Sequence, residues 1–101
     1  MDKLDISLLY VEDEEYIRQN MVTSLKRRVK TVYSAENGEE GLAKFKQYSP
    51  DLVITDIKML IMNGLEMIKR IRKQKEKTKI IMLSAHSDTK SLMESIEIGV
   101  N

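Results

Sequence analysis

Ile6-Ser7-Leu8-Leu9-Tyr10-Val11 is a short apolar run, broken only at Ser7, that ends in four acids, Glu12-Asp13-Glu14-Glu15. A nearly continuous apolar run of this length suits a strand buried on both faces. Asp13 is then placed to cap a helix, with Glu14 and Glu15 in a first turn where the helix dipole favours carboxylates. Ile17, Met21 and Leu25 recur at every fourth residue and give that helix one apolar stripe to lay on a sheet.

The same strand-then-helix reading repeats down the chain. Residues 31–35 form a second strand, followed by Asn37 and Glu40 at capping-box spacing and by Leu42 and Phe45 on a buried helix side. Residues 51–55, entered through Pro50, form a third strand built on Leu52, Val53 and Ile54. Asn63 and Glu66 repeat the capping spacing, and Leu65, Ile68 and Ile71 form the next stripe. Residues 79–83 are a fourth strand. Ser87 or Asp88 can cap a last helix with Leu92, Ile96 and Met93 facing inward and Gly99 ending it. Strand and helix in alternation predict an α/β fold with a parallel sheet, right-handed crossovers and helices on both faces. Ligands of such sheets bind beyond the carboxyl ends of the strands.

Composition narrows the function. A chain of 101 residues is expected to be one domain, spanning 1–101. Its 16 acids and 17 bases leave a net charge of +1, which is no footprint for nucleic acid. Lys26, Arg27, Arg28 and Lys30 sit where the first helix should end, and cations there complement its dipole. The absence of cysteine excludes disulfides and thiol chemistry. The apolar run near the amino end is too short to span a bilayer, so a soluble, cytoplasmic protein is expected, with no membrane partner. The seven methionines fall mostly within apolar strands or stripes and read as core filling.

The strand ends carry the chemistry. Glu12 and Asp13 follow the first strand, Asp56 ends the third and Ser84 follows the fourth. Taken singly, Asp13 is a helix cap, Asp56 a turn residue and Ser84 a strand-end hydroxyl. Together on one rim, three carboxylates repel one another unless a cation neutralises them. Oxygen-only donors suit a hard ion such as magnesium. A carboxylate beside a metal can also act as a nucleophile, as in aspartyl-phosphate chemistry.

Four segments then carry a resemblance: Leu8-Leu9-Tyr10-Val11-Glu12-Asp13-Glu14, residues 50–59 (PDLVITDIKM), Met62-Asn63-Gly64, and Leu83-Ser84-Ala85. In order and spacing they resemble the receiver domain of response regulators in two-component signalling. The resemblance implies a flavodoxin-like, doubly wound parallel sheet of strand order 2-1-3-4. It implies that Asp56 takes a phosphoryl group from a sensor histidine kinase or a phosphotransfer protein. Asp13 and Asp56 would ligate Mg2+, with Glu12 acting directly or through water and the backbone carbonyl of Lys58 as a further ligand. Ser84 would be the switch hydroxyl, and Ala85 and His86 neighbours of the phosphoryl site. His86, the sole histidine, otherwise reads as an exposed loop residue. The function implied is phosphorylation-switched partner binding, with no separate substrate turned over and hence no enzyme.

Two departures from the family stand out. Leu60 occupies a position where proline is common, which removes a constraint on φ from that loop. The family also continues past a segment like Ile98-Gly99-Val100-Asn101 into a fifth strand, bearing a lysine, and a fifth helix, both missing from these residues. An assembly module that keeps the fold without the switch is therefore a competing reading. A phosphatase with an aspartyl nucleophile is another, although Lys58 stands where such sites commonly place a second acid. A nucleotide-binding enzyme lacks its glycine-rich loop.

Without a fifth strand the apolar fourth strand would be an edge, and such an edge invites pairing with another chain. The 101-residue chain is expected to form a dimer or higher oligomer, with exchange of elements between chains as one route. Sedimentation measures this, and a compact monomer at micromolar concentration contradicts it.

Overall fold

The computed structural model describes residues 2–57, 59, 61–75 and 77–83. The last helix expected from the sequence, with Leu92, Met93, Ile96 and Gly99, lies outside the described residues, as does Leu60. The described elements run β1 (Leu4–Val11), α1 (Glu15–Leu25), β2 (Val29–Ala35), α2 (Gly38–Tyr48), β3 (Leu52–Asp56), α3 (Gly64–Gln74) and β4 (Lys79–Leu83). All strand pairs are parallel, in the order β2-β1-β3-β4. This is the order expected. β1 and β2 begin two residues earlier than the apolar runs suggested, and β3 is displaced by one to end on Asp56.

The central strands divide their side chains between two cores, as the period of two requires. Leu8 and Tyr10 of β1 and Leu52 and Ile54 of β3 pack with Met21 and Leu25 of α1 on one face. Leu9, Val11 and Val53 pack on the other with Leu42 and Phe45 of α2 and Met67 and Ile71 of α3. Residues 8–11 of β1 are essentially inaccessible, so the run is buried on both faces, as read.

The helix stripes need two corrections. Met21 and Leu25 are buried, but Ile17 is 43% exposed: it sits in the first turn of α1, where the helix has yet to cross the sheet. In α3 the buried line is Gly64, Met67 and Ile71, while Leu65 is about half exposed and Ile68 only partly buried. Residues 64, 67 and 71 follow the i, i+3, i+7 row, and Met67 takes the place in the core expected of Ile68. Met21, Met59 and Met67 fill core positions, whereas Met82 is half exposed.

The predicted caps form at α2 and α3. Asn37 Oδ1 accepts from the Glu40 N–H at 2.7 Å, and Asn63 Oδ1 from the Glu66 N–H at 2.9 Å. The cap expected at Asp13 does not: Glu14 is the N-cap of α1, with no side-chain capping bond. The Glu12 carboxylate takes the Glu14 N–H instead, at 3.1 Å, which leaves Asp13 for the rim.

Two glycines set the connection that follows β3. A Cβ on Gly64 would lie 2.3 Å from the Asp56 carbonyl oxygen, and one on Gly38 would lie 2.3 Å from that of Met62. The Gly64 and Gly38 N–H groups donate to the Ile57 and Met62 carbonyls. Neither contact is with the tip of a flexible side chain, so backbone must move to admit a methyl group. Gly64→Ala is therefore expected to destabilise the chain by about 1–3 kcal/mol, although alanine is ~1 kcal/mol better than glycine within a helix. Gln47→Ala, on the exposed side of α2, should stay within about 0.5 kcal/mol of the parent. Urea unfolding measures both.

Candidate functional site

The parallel register builds the site. Val11 lies opposite both Ala35 and Thr55, so the residues that follow β1 emerge beside the last residue of β3. Glu12, Asp13 and Asp56 each offer a carboxylate oxygen, and these atoms all lie within 4.8 Å of one another. Glu12 is 6% exposed, while Asp13 and Asp56 remain partly accessible.

The backbone around the cluster is tied down. The Glu12 N–H donates to the Ala35 carbonyl at 3.0 Å, continuing the β1–β2 ladder by one bond. Arg18 reaches back from α1 to donate Nη1–H to the Glu12 carbonyl at 2.8 Å. The Ile57 N–H donates to Asp56 Oδ1 at 2.8 Å, which orients that carboxylate from its own turn. Arg18 was not singled out from sequence. Its place one turn past the acids, on a helix start rich in carboxylates, is the signal that could have found it.

Electrostatics follow from this crowding. The Glu12 carboxyl is pushed up from its ordinary 4.5 to about 7, first by burial, then by Asp13 and the negative charge of Asp56; the Glu14 N–H opposes the shift. Burial first, and then the charges of Glu12 and Asp56, hold the Tyr10 phenol above its ordinary value. The donor set is all oxygen, partly desolvated and short of positive charge, which suits a hard divalent ion that keeps several waters. Glu12, Asp13 and Asp56 thus fit magnesium. The Lys58 carbonyl, Ser84, Ala85 and His86 lie outside the described residues.

Comparison with known proteins agrees with the geometry. The sequence model of the response regulator receiver domain matches residues 8–101.

The chain belongs to the response regulator receiver family.

Receiver domains are the phosphoacceptor modules of two-component systems and carry the phosphoryl group on an aspartate. The chain is 34% identical over 93 residues to the chemotaxis protein CheY of Bacillus subtilis, covering 91% of this chain and 78% of that protein. It is 34% identical over 95 residues to the transcriptional regulatory protein AfsQ1 of Streptomyces coelicolor, covering 94% of this chain and 42% of that protein. Among solved structures it resembles the chemotaxis protein CheY4 of Vibrio cholerae, with a TM-score of 0.77 at 30% identity, over 97% of this chain and 83% of that one. The chain spans less than half the length of the transcriptional regulators it matches. Among the described residues no helix is long and apolar enough to cross a membrane.

The raised Glu12 gives a pH dependence with a definite sign. Glu12 holds its proton to higher pH when folded than when unfolded, so folding takes up a proton between pH 4.5 and about 7. Stability from this group is present below the lower value and is lost as pH rises through the upper one. Glu12→Gln is expected to stabilise the magnesium-free chain above pH 7 by on the order of 1 kcal/mol and to have no effect at acid pH. Magnesium should raise the melting temperature of the parent at alkaline pH and raise that of the variant less. Thermal unfolding across pH, with and without magnesium, measures both.

Proposed function

We propose that Asp56 is the phosphoacceptor of this receiver domain and that Glu12, Asp13 and Asp56 hold Mg2+ beside it. The observation that carries the reading is the convergence of these three carboxylates at the carboxyl ends of two adjacent strands. Of the three, Asp56 alone stands on β3, partly accessible, with one oxygen engaged by the Ile57 N–H. Its other oxygen is left to attack phosphorus. In transfer from a phosphohistidine, the new bond joins that oxygen to phosphorus, the nitrogen–phosphorus bond breaks, and the departing imidazole takes up a proton. Magnesium, when bound, supplies positive charge against the oxygens of the transferring group.

The residues of the chain itself do the placing. Arg18 holds the carbonyl of Glu12, and with it the loop that presents Glu12 and Asp13 to the metal. Glu12, deeply placed, serves directly or through a water. Tyr16 is 79% exposed and Ile17 43% exposed at the start of α1, beside the acidic rim. They offer an apolar contact to a sensor histidine kinase or phosphotransfer protein while its imidazole approaches Asp56. The reading places the domain in the cytoplasm with that donor, as a single unit over 1–101 that is switched by phosphorylation and turns over no separate substrate. The expected roles of the Lys58 carbonyl, Ser84, Ala85 and His86 belong to the same reading. So does self-association of the 101-residue chain: β4 pairs with β3 on one edge, and no described strand pairs with its other edge.

Mass spectrometry after incubation with magnesium and a small phosphodonor tests the assignment. The parent chain is expected to gain one phosphoryl mass, lost on chelation of magnesium before the reaction, and Asp56→Asn to gain none. Equal labelling of the parent and Asp56→Asn would contradict it.

A further inference from the structure

Well away from the acidic rim in sequence and in lining residues, α2 and α3 enclose a second feature of opposite sign. A groove of about 670 Å³ runs between them, with Leu42 and Lys46 on one wall and Glu66, Lys69, Arg70 and Lys73 on the other. Residues 66, 69, 70 and 73 form one row along α3, and Lys46 stands one turn beyond Leu42 on α2. Glu66 is taken by Arg70 at 3.2 Å. Lys46, Lys69 and Lys73 make no ion pair or hydrogen bond with any described residue. Four cations against one carboxylate give the groove +3, whereas the whole chain carries +1.

Helix dipoles explain part of this pattern. Lys46 and Lys73 stand in the last turns of their helices, where cations are favoured. That does not account for Lys69 in the middle of α3. Nor does it explain why the cations border a groove that Leu42 also lines.

We propose that this groove docks an acidic polypeptide segment, with its carboxylates on Lys46, Lys69 and Lys73 and an apolar side chain against Leu42. Charge complementarity selects an acidic partner. The apolar wall at Leu42 selects polypeptide over nucleic acid, since among the described residues no aromatic side chain lines the groove to stack a base. The site shares no residue with the rim of Glu12, Asp13 and Asp56.

Fluorescence anisotropy on the full chain tests the proposal, with a labelled peptide alternating glutamate and leucine as the probe. Poly-glutamate, a single-stranded oligonucleotide and inorganic phosphate serve as competitors. The alternating peptide is expected to bind more weakly as salt rises, and poly-glutamate to compete less well than the unlabelled alternating peptide. The paired change Lys69→Glu and Lys73→Glu should weaken binding about tenfold or more. Lys26→Glu with Lys30→Glu, the same change in net charge outside the groove, should leave binding within about twofold. Circular dichroism identifies any variant that fails to fold, and Lys46→Gln then takes its place with the same expected direction. The proposal is overturned if the peptide does not bind or if both paired variants weaken binding equally. It is also overturned if the oligonucleotide or phosphate displaces the peptide as well as the unlabelled peptide does.

Discussion

The parallel pairing of β1 with β3 is the constraint on which the rest depends. With Val11 opposite Thr55, the chain leaves β1 at the level where β3 ends, and acids remote in sequence become neighbours. A slip of one residue would exchange the two faces of a strand whose every side chain from Leu8 to Val11 is buried. Both cores therefore enforce the register, and the register in turn sets the spacing of the carboxylates. A polar lock at the other end of the strands adds to this. The Asp51 carboxylate accepts from the Ser7 N–H at 2.8 Å and from its hydroxyl, while the Asp51 N–H donates to the Ser7 carbonyl. Pinned at its entry by Ser7 and along its length by two cores, β3 delivers Asp56 to one place.

That place is electrostatically costly, and the cost is informative. Carboxylates that share a rim would move apart if the backbone were free to move. Here Glu12 is held by the Ala35 carbonyl and Arg18, and Asp56 is followed by a turn that Gly64 packs against with no room for a Cβ. With the backbone fixed, burial first and the neighbouring acids second raise the Glu12 carboxyl. A fold that holds acids together in this way has a site whose charge is completed by something bound. For the proposed magnesium site, the rigidity of the loops that hold Glu12, Asp13 and Asp56 together matters as much as the identity of the acids.

How much of this was legible in the sequence depended on whether the signal was local. Capping at Asn37 and Asn63 is decided within four residues, and both caps are present as read. The buried runs of β1 and β3 were equally plain, as was the meeting of Glu12, Asp13 and Asp56, because strand ends in a parallel sheet converge by topology. Asp13 was misread as a cap because capping propensity cannot see that Glu12, one residue earlier, is positioned to take the Glu14 N–H. Ile17 continues the helical spacing of its stripe but is exposed in the first turn of α1, and Leu65 lies off the buried row of Gly64, Met67 and Ile71. Apolar spacing alone left open which of two adjacent rows of α3 faces the core, because Gly64 and Met67 compete with Leu65 and Ile68. Ser7 looked like an interruption of an apolar run. Its pairing with Asp51, forty-four residues away, is a tertiary fact that no window on the sequence contains.

Net charge shows the same limit in another form. Seventeen bases and sixteen acids nearly cancel, and as an average they describe a neutral domain. The fold separates them. Parallel topology gathers acids at the strand ends, while the spacing of α3 and the packing of α2 beside it gather cations along a groove. Both are positions where like charges are brought together against their mutual repulsion, which a ligand of the opposite sign would relieve. A near-zero total therefore says little about partners. The sign and shape of each local cluster say more: an acidic rim on one hand and a cationic groove on the other, which carry the two proposals made for this chain.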